Sequence, residues 1–131
     1  MFSHVTVGSD DLARAIAFYD RVLAPLGLKR QDSDLEKGFA GYAAAPDTTP
    51  QFWVVRPLDG RAATVGNGVT IGFEAGDRAT VDAVHAAALA AGARDEGAPG
   101  LRPHYHPHYY GAYVRDLDGH KLCCVCHRPV G

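Results

Sequence analysis

The chain has no long apolar run, no surplus of one charge and no spread of cysteines, and each lack closes off a class of function. No apolar stretch approaches the roughly 18 residues that a bilayer span needs, so a membrane role is not expected. Thirteen Lys and Arg against fifteen Asp and Glu leave a formal net charge of −2, with the basic residues scattered along the chain. Phosphate-backbone binding therefore lacks its electrostatic footprint, and nucleic acid is not an expected partner. All three cysteines fall between Cys123 and Cys126, too few and too close for a disulfide framework. The first residues, Met1-Phe2-Ser3-His4, run straight into a strand and leave no room for a charged and apolar leader. A cytoplasmic protein is expected. No Ser-His-Asp order and no paired-carboxylate arrangement stands out, and Gly66-Asn67-Gly68 leads into a strand where a nucleotide loop would lead into a helix.

What is present is a duplication. His4-Val5-Thr6-Val7 reads as a strand, and Asp10-Asp11-Leu12 opens a helix with Leu12, Ile16, Tyr19 and Leu23 on one stripe. Ser9 or Asp10 is the expected N-cap, and Pro25 and Gly27 end the helix after about four turns. Thr70-Ile71-Gly72-Phe73 begins the pattern again, with Asp77 standing where Asp11 stood and a stripe of Val81, Val84, Ala88 and Leu89. The offset is 66 residues both from His4 to Thr70 and from Asp11 to Asp77, far too long for a solenoid repeat in a chain of 131 residues.

The remaining segments fit the same plan. Residues 39–43 and 51–55 read as strands around the turn-rich Ala45–Pro50, and 109–115 and 121–126 as a hairpin closed by Asp118-Gly119. Residues 96–103 read as a loop. Apolar residues at 47% with charged residues at 21% suit a globular domain, and 131 residues suit one. The expected fold is α+β: two tandem βαβββ modules, at about 1–57 and 68–131, joined by a linker at about 58–67.

The residues also carry a resemblance. His4, then Asp11-Leu12 and Phe18-Tyr19, with the closing Asp116-x-Asp118-Gly119-x-x-Leu122, resemble the vicinal oxygen chelate superfamily over essentially the whole chain. That superfamily includes glyoxalase I, extradiol dioxygenases, fosfomycin-modifying enzymes and bleomycin-resistance binding proteins. The resemblance implies a curved mixed sheet around a cup-shaped cavity and a homodimer, with cups often completed across the subunit boundary. It also implies four inward positions that hold a divalent metal, such as zinc, nickel, iron or manganese, with open sites for two substrate oxygens. On this chain those positions fall on His4, on Thr70, near Gln51 to Trp53, and on Cys123. His and Cys are competent ligands, whereas Thr is a poor one and Gln, Trp and Val supply no carboxylate.

Each candidate also has a structural reading. A lone strand histidine such as His4 is more often hydrogen-bonded framework than ligand. A buried cysteine such as Cys123 is more often a small hydrophobe, and Cys124 and Cys126 share the opposite face. His85 sits mid-helix and reads as structural. Arg102-Pro103-His104-Tyr105-His106-Pro107-His108-Tyr109-Tyr110 is expected to be a stiff loop over the cavity mouth, its rings and imidazoles lining the cavity, with His104 and His106 lining it or recruited to a metal. Gln51, Trp53, Thr70 and Tyr113 are the further cavity-lining candidates, and Phe39, Tyr42, Trp53 and Tyr113 suit a planar ligand or ordinary core. Two functions follow. One is a metal-dependent lyase or dioxygenase acting on a small molecule through a degenerate site. The other is a metal-free protein that sequesters an aromatic or drug-like compound.

Overall fold

The computed structural model describes residues 1–130. Its elements run β1 (His4–Gly8), α1 (Leu12–Val22), β2 (Lys29–Asp34), β3 (Phe39–Ala43) and β4 (Gln51–Val55). The same succession then repeats as β5 (Ile71–Glu74), α2 (Arg78–Ala90), β6 (Arg94–Leu101), β7 (Tyr110–Arg115) and β8 (Lys121–Cys126). The strands form two four-stranded mixed sheets ordered β1-β4-β3-β2 and β5-β8-β7-β6, in which β1 and β5 run parallel to their neighbours and the other pairs are antiparallel. Two βαβββ units of α+β architecture are thus present, as the duplication predicts.

Both helices start the same way. The Asp11 carboxylate accepts a hydrogen bond from the Arg14 amide at 3.1 Å, and Asp77 accepts from the Thr80 amide at 2.7 Å. Each satisfies a donor that the first helical turn leaves free. The cap is Asp11, not Ser9 or Asp10, because both of those are engaged nearby. Ser9 Oγ accepts from the Asp11 amide at 3.2 Å, and the Asp10 carboxylate accepts from the Ala63 amide at 2.8 Å. α1 has 11 residues, about three turns and not four, because Pro25 enters a 3-10 turn at Ala24–Leu26 that Gly27 closes at φ 75°.

The predicted stripe Leu12, Ile16, Tyr19 and Leu23 is buried throughout. On α2, Val81, Val84 and Ala88 are buried while Leu89 is 39% exposed, one position off the stripe. Two strands escaped the sequence reading. β2, Lys-Arg-Gln-Asp-Ser-Asp, has no apolar alternation because it is an outer strand. β6 spans the supposed loop 96–101, and tolerates Pro99 and two register shifts because it too lies at a sheet edge.

The two units share one hydrophobic core, in which the Phe52 and Phe73 rings meet at 5.3 Å. A buried polar knot ties them further. The Tyr19 hydroxyl donates to Asp116 Oδ2, while Asp116 Oδ1 accepts from the amides of Asp118 at 3.0 Å and His120 at 2.8 Å. The His120 ring closes the circuit with Nε2 at 2.7 Å from the Gly8 carbonyl oxygen, which fixes Nε2 as the donor. The Asp116-x-Asp118-Gly119 motif is therefore the clamp that docks the last hairpin on α1 and β1. Among the described residues, no helix is long and apolar enough to cross a membrane.

Candidate functional site

Strand alternation decides which side chains leave the core. Along β4, Phe52 and Val54 are buried while Gln51, Trp53 and Val55 are partly exposed on the other face. Along β8, Leu122, Cys124 and Cys126 join the core, so Lys121, Cys123 and Val125 face away from α2. Pairing Val5 with Phe52 and Ile71 with Leu122 makes Trp53 the first-unit counterpart of Cys123, and Gln51 that of Lys121.

The face of the first sheet carries a groove of about 320 Å³ lined by Gln51, Trp53, Gly41 and Asp32. Trp53 lies flat on Gly41, where a Cβ would come within 2.5 Å of its ring, and its indole N–H donates to Gln51 Oε1 at 3.0 Å. Phe39 stands beside it at 6.1 Å between ring centroids. The result is a fixed aromatic wall.

The face of the second sheet carries a groove of about 410 Å³, with Thr70, Glu74, Tyr109, Tyr113, Lys121 and Cys123 among its lining residues. The Tyr109 and Tyr113 hydroxyls are 2.8 Å apart, and the Tyr109 hydroxyl lies 3.5 Å from Cys123 Sγ. Burial first, then the neighbouring Cys123 and Tyr113, push the Tyr109 phenol well above its ordinary range, and burial likewise raises Tyr113. Both phenols therefore stay protonated at neutral pH, and one of the two donates to the other. The Cys124 thiol, on the core face, is pushed up to about 12 by burial, which makes it inert volume.

The loop after β6 is closed by a 2.8 Å bond from the Arg102 amide to the Tyr109 carbonyl. Its interior turns, as Pro103 and Pro107 suggest, so His104, His106 and His108 do not share one side of an extended segment. Tyr105 and Tyr109 reach the groove, whereas His104 and His106 are not among its lining residues. His106 Nε2 instead meets His127 Nδ1 at 2.9 Å, with the rings stacked at 5.2 Å. That pair pins the loop to the chain just beyond β8.

His4 is exposed on β1, with its Nδ1 2.7 Å from Ser3 Oγ. The two grooves share no lining residue, and His4 lines neither of them. Among the described residues, no group of three or more His, Cys, Asp or Glu side chains is placed to hold a metal ion. The four positions that the resemblance assigns to a metal hold one imidazole, one thiol, one threonine hydroxyl and one indole, and the indole has no lone pair to give. This donor set does not fit the divalent ion that the superfamily often uses. Lys121 and His127 went unrecognised in the sequence, whereas Tyr105 and Tyr109 lie in the segment expected over the cavity mouth. The parity of β8 was enough to place Lys121 beside Cys123, but His127 depends on how the loop closes.

The comparisons with known proteins agree with this architecture. The family model described as Glyoxalase/Bleomycin resistance protein/Dioxygenase superfamily matches residues 1–124. Among curated proteins, none matches the chain. Among solved structures, a glyoxalase/bleomycin resistance protein from Albidiferax ferrireducens is 38% identical, covers 98% of this chain and 99% of its own, and superposes with a TM-score of 0.85. A family enzyme from Burkholderia phytofirmans, at 23% identity, 96% and 98% coverage and a TM-score of 0.71, shares the fold. So does lactoylglutathione lyase from Agrobacterium tumefaciens, at 21% identity, 96% and 92% coverage and a TM-score of 0.66. With the matched model spanning nearly the whole length, this chain belongs to the glyoxalase/bleomycin resistance protein/dioxygenase superfamily.

Proposed function

We propose that this protein binds a ring-bearing small molecule between the aromatic wall of Trp53 and Phe39 and the tyrosine wall of Tyr109 and Tyr113, without a resident metal. The observation that carries the reading is the content of the four inward positions, where an indole and a thiol hydrogen-bonded to a phenol stand in place of a full ligand set. His4 and Cys123 alone favour the metal-dependent lyase or dioxygenase reading, and two donors leave half of a four-coordinate sphere to water. In this proposal Gln51, Trp53, Thr70 and Tyr113 line the ligand space and Cys123 is a wall atom.

A homodimer is part of the proposal. The outer strands β2 and β6 are blunted, the first by charges and the second by Pro99 and register shifts, whereas β1 and β5 are also edge strands and carry between them one Asp, Glu, Lys or Arg, Glu74. A two-fold arrangement that lays the first-sheet groove of one protomer over the second-sheet groove of its partner makes one enclosed site from two open ones. Residues 1–131 then act as one domain of two modules, 1–57 and 68–131, around the linker 58–67. The ligand site is reached from bulk water, and no nucleic acid or membrane takes part.

Thermal-shift and equilibrium-dialysis measurements with 2-naphthol test this reading, run in excess chelator and again with added zinc, nickel, iron or manganese. Stabilisation without metal, lost on Tyr109→Ala, is the expected result. Binding that appears only when one of those ions is present overturns it in favour of the metal-dependent enzyme. Sedimentation at micromolar protein reads the dimer separately.

A further inference from the structure

The second-sheet groove is not electrically neutral. Arg115 and Lys121 stand directly opposite each other on β7 and β8, a like-charge pair that is unfavourable unless something answers it. Arg115 is answered by Glu96, whose carboxylate lies 2.9 Å from Arg115 Nε and 3.5 Å from the exposed Arg94. Lys121 is not. Among the described residues its amine has neither a hydrogen bond nor an ion pair, and it sits 5.5 Å above the Tyr113 ring.

A third cation approaches the same ring from the other side of β7. The Arg102 guanidinium lies 5.6 Å from the Tyr113 centroid and is held there by bonds of 2.8 Å to the carbonyls of Ala98 and Gly100. Those bonds fix its position without cancelling its charge. Glu96 thus serves Arg115 and Arg94, while Arg102 and Lys121 have no ion pair among the described residues, in a chain whose formal net charge is −2. Glu74 also lines the groove but pairs with Val125, about 13 Å along β8 from Lys121, too far to neutralise it. The groove therefore has a cationic end at Lys121 and Tyr113, and a different, acidic end at Glu74.

We infer that the Lys121 end of this groove receives the carboxylate of an aromatic acid, whose ring lies against Tyr109 and Tyr113. The inference rests on the proposed binding function and names its ligand class. An ammonium with three free donors beside two protonated phenols favours an anionic oxygen acceptor over a neutral one, because charge-assisted hydrogen bonds are the stronger kind. The tyrosine faces supply the stacking surface, and the half-buried setting limits screening by salt.

The test compares 2-naphthoate with 2-naphthamide, which share ring and shape and differ in charge, by equilibrium dialysis on the full-length protein. Naphthoate is expected to bind at least about tenfold more tightly, an advantage of about 1.4 kcal/mol. Lys121→Met is expected to bring naphthoate down to the affinity of the amide while leaving the amide unchanged, and Lys121→Arg to keep the preference. Equal affinities in the unaltered protein overturn the inference, as does a preference that survives Lys121→Met. Where both probes bind equally and both are lost on Tyr109→Ala, the groove stands as a binding site and only the acidic ligand falls. Where neither probe binds, or neither loses affinity on Tyr109→Ala, the binding function and its ligand class fall together.

Discussion

The Tyr19 hydroxyl on the first helix donates a hydrogen bond to the Asp116 carboxylate, 97 residues further along the chain, and both groups are buried. That contact joins the two halves of the duplication and is the centre of the clamp formed with His120 and Gly8. Tyr19→Phe keeps the ring and removes the donor, leaving a buried carboxylate oxygen without its partner. We predict a loss of about 1–3 kcal/mol in chemical denaturation, with the fold retained. A loss below about 0.5 kcal/mol would mean that water replaces the phenol without cost.

The same residue sets an alkaline limit. Burial, then Asp116, raise the Tyr19 pKa well above its usual value, and burial with the Asp20 hydrogen bond does the same for Tyr42. A raised folded pKa favours the protonated phenol in the native state, so the stabilisation is complete below the unfolded value of about 10 and is lost as pH rises towards the folded one. Stability is predicted to fall above pH ~10 by about 1.4 kcal/mol per pH unit for each of these two phenols. Tyr19→Phe should make that slope shallower by one proton, as read by denaturant titrations across the range.

Gly41→Ala addresses the first-sheet groove. The new methyl would sit 2.5 Å from the Trp53 ring, so the indole must leave its place. The chain has one tryptophan, and its fluorescence reports Trp53 alone. We predict a shifted emission, a stability cost of about 1–3 kcal/mol and weakened naphthol binding. An unchanged spectrum would show that the ring is not held against Gly41 in solution.

His127→Ala removes the 2.9 Å contact that pins the loop carrying Tyr105 and Tyr109. Faster amide hydrogen exchange at residues 103–108 is the expected outcome, together with a loss of ligand affinity of about 1 kcal/mol. Unchanged exchange would assign the loop's order to the Arg102–Tyr109 closure instead.

Much of the architecture was legible because it is written in periodicity. The 66-residue offset from Asp11 to Asp77 marks two helix starts, although the first cap was expected at Ser9 or Asp10, and the stripe of Leu12, Ile16, Tyr19 and Leu23 marks one buried helix face. β2 and β6 were not legible, because an outer strand needs no apolar alternation and tolerates proline. Strand parity was legible for Gln51 and Trp53 on β4 and for Cys123 on β8, and it decides which face those side chains take. The histidine-rich segment forms the loop that Pro103 and Pro107 suggest, and its turns direct Tyr105 and Tyr109 to the groove while His106 pairs with His127. Nothing local in the sequence announces a contact made through the closure of a loop.

The sparsely charged outer rims of β1 and β5 differ from each other in sequence, so a chain that docks its first rim on a neighbour's fifth strand makes a head-to-tail joint. Such a joint terminates at two copies only when a rotation by half a turn makes it reciprocal. Any other angle leaves a rim at each end of the pair, able to recruit another molecule. In the proposed dimer a half-turn would shelter both rims at once, whereas other angles build larger rings or an open fibre.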